Sequence, residues 1–300
     1  MTSVPVDGRF KMLCSYWYFK DHDMDEVVGA VSGMKPLVFA DSGAHSARTQ
    51  GVDLRVDDYA AWVKRWGRHL DVVSNLDSIG APALTWRNQR ILEDVHGLKV
   101  LPVFHTGEPW EWLEKYIDAG HTYIALGKLL GNTWKNLEPW MAKAFRIAGD
   151  RAVFHGFGLN VWQALREYPF YSVDSSSWGQ GFRFGQLKMF DQRGRWVAAA
   201  LRDRTSIVAN RDLIRAHGAD PVIFLDHSKY ERKYAVMLAA VAHKRAEHWL
   251  RQRHGPVYIP GDSTNRSGPG LHSYVADTVI RQFRLASKAI EETYLEGHVL

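Results

Sequence analysis

Apolar runs of strand length alternate with stretches of helical spacing from residue 11 to residue 178. KMLCSYWYF (11–19), PLVFADSG (36–43), LDVVSNLD (70–77), LKVLPVFHTG (98–107), HTYIALGK (121–128), RAVFHGFG (151–158) and FYSVDSSSW (170–178) read as strands. Between them, 24–33, 56–69, 85–97, 109–120, 136–149 and 160–168 read as helices; Tyr59, Trp62, Val63 and Trp66 recur at the spacing of one helix face. Gly97 stands where a C-terminal glycine cap belongs, and Pro109 at a first helical position. The strand runs are apolar without alternation, as in strands covered on both faces, so the pattern predicts a parallel sheet.

Seven βα-type units call for a (β/α)8 TIM barrel with a helical C-terminal extension, or for a doubly wound sheet. For the eighth strand the best run is DPVIFLDHS (220–228), followed by a long helix from about Lys229 to Gln252. GQLKMFDQRGRWVAAAL (185–201) reads as a hairpin turning near Arg193-Gly194, GDSTNRSGPG (261–270) as a loop, and Ser273 to Glu292 as a last helix. There is no linker before residue 200 and no internal repeat, so the reading is one domain over 1–300 with a basic helical part at 201–300.

Composition narrows the class. Of 300 residues 46% are hydrophobic and 24% charged, which fits an ordinary globular chain and not a disordered or collagenous one. One cysteine, Cys14, excludes an intrachain disulfide framework and a multi-cysteine zinc site. No basic and apolar leader is visible and no apolar run reaches membrane-spanning length, so the expectation is a cytoplasmic protein without a membrane partner. Net charge is +5, and residues 201–254 carry all of it, with 11 Lys/Arg against 6 Asp/Glu. That segment is either a solvated helical face or a face that grips a polyanion.

The chemistry sits where barrel strands end. Those ends are Asp41-Ser42-Gly43-Ala44-His45, Asn75-Leu76-Asp77, Phe104-His105-Thr106-Gly107, Gly127-Lys128, His155-Gly156-Phe157-Gly158 and Asp174-Ser175. Each Asp alone reads as a helix cap; six strand ends in series read as a site. Carboxylates without a metal cluster suggest glycosyl chemistry, one attacking or stabilising the sugar carbon and another moving protons. A metal-dependent hydrolase using His105, His155 and an Asp is the rival, but HxH and HExxH are absent. No metal and no cofactor are expected.

These strand ends resemble the tRNA-guanine transglycosylase superfamily. VFADSGAHS is similar to that family's DSGGF/Y motif, VVSNLD to the strand with its base-reading Asp, PVFHTG to its Val-Gln-Gly turn, YIALGKLLG to its GGLAVGE strand, HGFG to a Gly-x-Gly turn, and YSVDSSSW to the strand of its nucleophile. The six occur in family order over residues 36–178. The resemblance implies Asp174 as nucleophile and Asp41 as general acid/base. It implies base contacts from Ser42, Asp77, His105, Gly127, Lys128, the Leu129 carbonyl and Gly156, with His45 and His155 sandwiching the base. Lys128 stands where the family has a glycine, and the three-cysteine zinc site is missing. The short chain and the motifs HGFG and YPFYSVDSSSW are most similar to the branch that replaces guanine in DNA with a 7-deazaguanine. The expected partners are therefore guanine-containing DNA and a 7-deazaguanine base, with a homodimer left open. A tRNA-acting enzyme, a non-catalytic nucleic-acid-binding homologue and a plain nucleosidase are the alternatives.

Overall fold

The computed structural model describes residues 9–31, 36–129, 131–201, 203–226, 230–262 and 268–295. Residues 263–267 of the expected loop 261–270 and residues 227 and 228 of the expected eighth strand 220–228 fall outside these, as do residues 1–8, 32–35 and 296–300.

Eight parallel strands form a curled sheet flanked by helices. They are β1 (Lys11–Ser15), β2 (Leu37–Asp41), β3 (Val72–Val73), β4 (Val103–His105), β5 (Tyr123–Gly127), β6 (Val153–Gly156), β7 (Ser172–Ser175) and, after a hairpin of β8 (Gln186–Phe190) and β9 (Trp196–Ala200), β10 (His272–Ala276). The order across the sheet is β3-β2-β1-β10-β7-β6-β5-β4. Its two edges meet: Ser74 bridges Leu101, and Asn75 N–H donates to the Leu101 carbonyl at 2.9 Å. The fold is a TIM barrel, with β10 as its eighth strand between β7 and β1.

Three expected elements differ. The run from residue 220 is a helix, Pro221–Leu225, not a strand. Asp220 accepts from Val222 N–H at 3.0 Å and Pro221 fills the first turn, so the N-terminal cap outweighs the β propensity of the apolar run. The eighth strand instead comes from the start of the segment read as the last helix, which begins only at Ile280 and runs to Leu295. The helical part is thus mostly an insertion between the seventh and eighth strands. The first strand also ends early. Tyr16–Phe19 is a helical turn that buries Tyr16 and Phe19, three apart, where strand propensity alone would extend the run.

Alternation along each strand sorts the interior. Leu13, Leu37, Phe39, Val103, Ala125 and Tyr274 fill the barrel, while Met12, Cys14, Val38 and Ala40 pack outward against helices. The hairpin forms as expected; Asp191 accepts from the backbone of both Arg193 and Arg195 at 2.9 Å across its turn. Gly194 there has φ 77°, and a Cβ would lie 2.4 Å from the Trp249 ring. The long helix is Arg232–His254.

Neither reading of the basic segment, a solvated face or a face that grips a polyanion, holds for three of its cations along that helix. Lys244, Arg245 and Arg251 are buried. Arg245 donates to the Ala216 carbonyl at 2.7 Å, Arg251 to the carbonyls of Leu271 and Pro269, and Lys244 to Glu247 at 2.9 Å. Arg251 fastens the helix to the chain around β10 and Arg245 fastens it to the end of the helix Arg211–Ala216, while Lys244 pairs within the helix; none of the three faces solvent. No helix among the described residues is long and apolar enough to cross a membrane.

Candidate functional site

The site forms at the C-terminal ends of the strands, because the alternation that fills the barrel also turns Asp41, His105, Gly127, His155 and Asp174 toward its axis. Leu37, Phe39 and Asp41 share one face of β2, and Ser172 and Asp174 one face of β7. Register then brings them level: Val103 pairs with Ala125, Ala125 with His155, and His155 with Ser172.

On one side of the mouth stands a charged triad. His105 is buried, with Nε2 2.7 Å from Asp77 Oδ2 and Nδ1 2.9 Å from Glu108 Oε1. Glu108 Oε2 also accepts from the His105 backbone N–H at 3.0 Å. Burial alone would drive the imidazole toward its neutral form. The two carboxylate hydrogen bonds and their charges outweigh it and raise the pKa to about 9, so both ring nitrogens donate. Ser42 is buried beneath this group. Its N–H donates to Ser74 Oγ at 3.2 Å, and its hydroxyl reaches Asp77 Oδ1 at 3.4 Å.

Gly127 makes this arrangement possible: a Cβ there would lie 2.5 Å from His105 Cδ2. The next residue, Lys128, has φ 57° and is the one non-glycine residue with positive φ among those described. Its side chain is exposed and its carbonyl accepts from Thr106 Oγ1 at 3.1 Å and Asn132 Nδ2 at 3.0 Å. Leu129 is buried, and its carbonyl is met by Asn132 at 3.4 Å.

On the opposite side a neutral chain leads to Asp174. His155 is fully buried with its ring against Phe39, centroids 4.4 Å apart. Burial pulls its pKa down, against the pull of Asp174. A neutral ring fits one orientation: Nε2–H donates to Asp174 Oδ1 at 3.2 Å, and Nδ1 accepts from Ser172 Oγ at 2.6 Å. Ser172 in turn pairs with the Tyr123 hydroxyl. Asp174 Oδ1 also accepts from Gly158 N–H at 2.9 Å. Among the described residues Oδ2 has no hydrogen-bond partner, so one oxygen of Asp174 is pinned and the other is free at the mouth.

Asp41 lies between the two sides, at the end of β2, where Gly43 N–H donates to its Oδ2 at 3.1 Å. Burial, then the charges of Asp77 and Asp174, raise its pKa to about 7.

The structure thus unites Asp41, Ser42, Asp77, His105, Gly127, His155 and Asp174. His155 has both nitrogens committed and no exposed surface, so its ring lies behind Asp174 and against Phe39 and presents no open face to the mouth. His45 is exposed at the start of the helix after β2 and touches none of the triad. Gly156 sits behind the site, where a Cβ would press on Leu159 at 3.0 Å. Glu108, Ser172 and Tyr123 were not anticipated. Glu108, three residues after His105 in the loop that follows β4, is visible in the sequence as a carboxylate beside a strand-end histidine; the other two lie inside strands read as core. Among the described residues no group of three or more His, Cys, Asp or Glu side chains is disposed to hold a metal ion. Comparison with models of protein families, with curated proteins and with solved structures returned no match.

Proposed function

We propose that this chain is a transglycosylase that exchanges guanine in DNA for a 7-deazaguanine base. The observation that carries the reading is Asp174, whose Oδ1 is held by two donors while Oδ2 is free at the barrel mouth, opposite an Asp41 that titrates near neutrality. A fixed carboxyl group with one unengaged oxygen suits nucleophilic attack on a sugar carbon. A carboxyl group with pKa near 7 suits proton transfer in both directions.

In this reading Asp174 Oδ2 bonds to C1′ of a deoxyguanosine as the C1′–N9 bond breaks. The electron pair stays on guanine, which takes the Asp41 proton. The incoming base then gives its N9 proton to Asp41 and attacks C1′ through N9. The C1′–O ester breaks and Asp174 is regenerated. The target base must first leave the duplex stack, at a cost of roughly a few kcal/mol. Asp77, set by His105 and Ser42, offers the acceptor for donors on the base edge.

The resemblance of the six strand-end motifs supports the same reading. So does Lys128, which takes a left-handed conformation at the position where the family has glycine. For the polymer, exposed Arg204 and Arg232 are the phosphate contacts to test within the basic segment, since Arg245 and Arg251 are buried. Neutralising them should flatten the salt dependence of DNA binding.

The test is mass spectrometry of nucleosides from DNA incubated with the protein and candidate 7-deazaguanines. Incorporation is expected, with a pH profile that breaks near 7, and Asp174→Asn should lower it about 10³-fold or more while circular dichroism stays native. Exchange by a folded Asp174→Asn protein would overturn the nucleophile. Release of guanine without incorporation would make the enzyme a nucleosidase, and exchange in tRNA but not in DNA would change the polymer.

A further inference from the structure

A second cavity, of about 280 Å³, lies outside the barrel wall, enclosed by β7, β10, the hairpin β8–β9, the helix Trp162–Glu167 and the long helix. It is separate from the carboxyl site. Asp174 faces the barrel axis, whereas Val173 and Ser175, on the other face of β7, line this cavity.

Its walls are flat, apolar and braced. Trp162 and Trp196 meet edge to face with centroids 6.0 Å apart, and Trp162 Nε1 donates to the Gly194 carbonyl at 3.0 Å. Leu165 and Leu250 add to the apolar lining. Two cationic or ionisable groups look into it. Among the described residues, half-buried Lys188 on β8 has no hydrogen-bond or ion-pair partner, and His243 on the long helix has none beyond ring contact with Trp196, at 4.9 Å. Burial, then the nearby Lys188 charge, hold His243 neutral, with its pKa down to about 4.

One carboxylate lines the cavity and it is spent. Glu247 Oε1 accepts from Lys11 at 2.8 Å and Lys244 at 2.9 Å, and Oε2 accepts from Ser273 N–H at 2.9 Å. Lys188 therefore has no counter-charge within the cavity.

We propose that this cavity binds a small organic anion with a flat apolar body, an aromatic carboxylate whose rings lie against the indoles and whose carboxylate pairs with Lys188, with His243 N–H as second donor. The volume is close to the lower end of small-molecule pockets, so the occupant is about the size of two fused rings and a carboxylate. Charge-assisted hydrogen bonding then sets its selectivity over neutral isosteres.

Isothermal titration of the full chain with 2-naphthoate and with 2-naphthamide tests this. The acid should bind saturably and about tenfold or more tighter than the amide. Lys188→Met should bring the acid down to the amide, and Lys188→Arg should keep most of the difference. Ala198→Trp, at the exposed rim of the cavity, should remove both, and Asp174→Asn should change neither. Absence of saturable naphthoate binding, equal binding of acid and amide, or an unaltered acid preference in Lys188→Met each overturn the proposal. None of these readouts depends on base exchange.

Discussion

His105 on the β3–β4 side of the barrel mouth and His155 on the β6–β7 side are both buried at strand ends, yet their neighbours differ in charge. His105 lies between two carboxyl groups, 2.7 Å and 2.9 Å from its nitrogens. His155 lies between a serine hydroxyl and one oxygen of Asp174. The first environment holds an imidazolium and the second a neutral ring, although burial opposes charge in both. One residue type therefore supplies a fixed charge that orients Asp77 on one side, and an uncharged donor that orients Asp174 on the other. Burial prevails where one carboxylate faces the ring, and two carboxylates overcome it.

The sharpest way to break this comparison is to remove one carboxylate. Glu108→Gln takes one partner from a buried ionic group, which costs about 3–5 kcal/mol, and should draw the His105 pKa down from about 9. Urea unfolding and imidazole NMR titration measure the two effects. A His105 that still titrates near 9 in the variant would assign its charge to Asp77 alone.

The two histidines should also shape stability against pH with opposite signs. For His105 the folded pKa is raised, so its contribution is full below about 6.5 and is lost as pH rises toward 9. From the shift it is on the order of 3 kcal/mol. For His155 the folded pKa is lowered, so its contribution is present above about 6.5 and is lost as pH falls. The stability gap between wild type and His105→Gln should therefore shrink on the alkaline side, and the gap to His155→Gln on the acid side. Two gaps that move together with pH would show that the rings share one charge state.

The smallest effect belongs to the neutral chain. Ser172→Ala leaves His155 Nδ1 and the Tyr123 hydroxyl without their shared partner, at about 1–2 kcal/mol. If base exchange is the activity, the variant should lose rate through a less ordered Asp174 and keep its affinity for the base. A change in affinity with no change in rate would place His155 on the base after all.

Seven of the eight barrel strands and the polar residues at their ends follow from local pattern. Unbroken apolar runs mark strands covered on both faces, and the residues at their ends follow without knowing what they touch. The hairpin is equally local, because its turn is built by Asp191 and Gly194 within five residues. Each of these signals is complete within one element.

What tertiary structure decided lies across long stretches of chain. The eighth strand is a five-residue segment, HSYVA, chosen because it completes the ring between β1 and β7; a better apolar run at Pro221–Leu225 was taken by a capped helix. His105 meets Asp77 across 28 residues, and His155 meets Asp174 across 19, so their opposite charge states exist only once the barrel closes. Arg251 and Lys244 count as surface charge in the composition and become interior fasteners in the fold. Lys188 and His243 share a cavity that no stretch of sequence contains. Backbone pattern is encoded by neighbours along the chain, whereas electrostatic environment is set by neighbours in space, and ring closure brings the latter together.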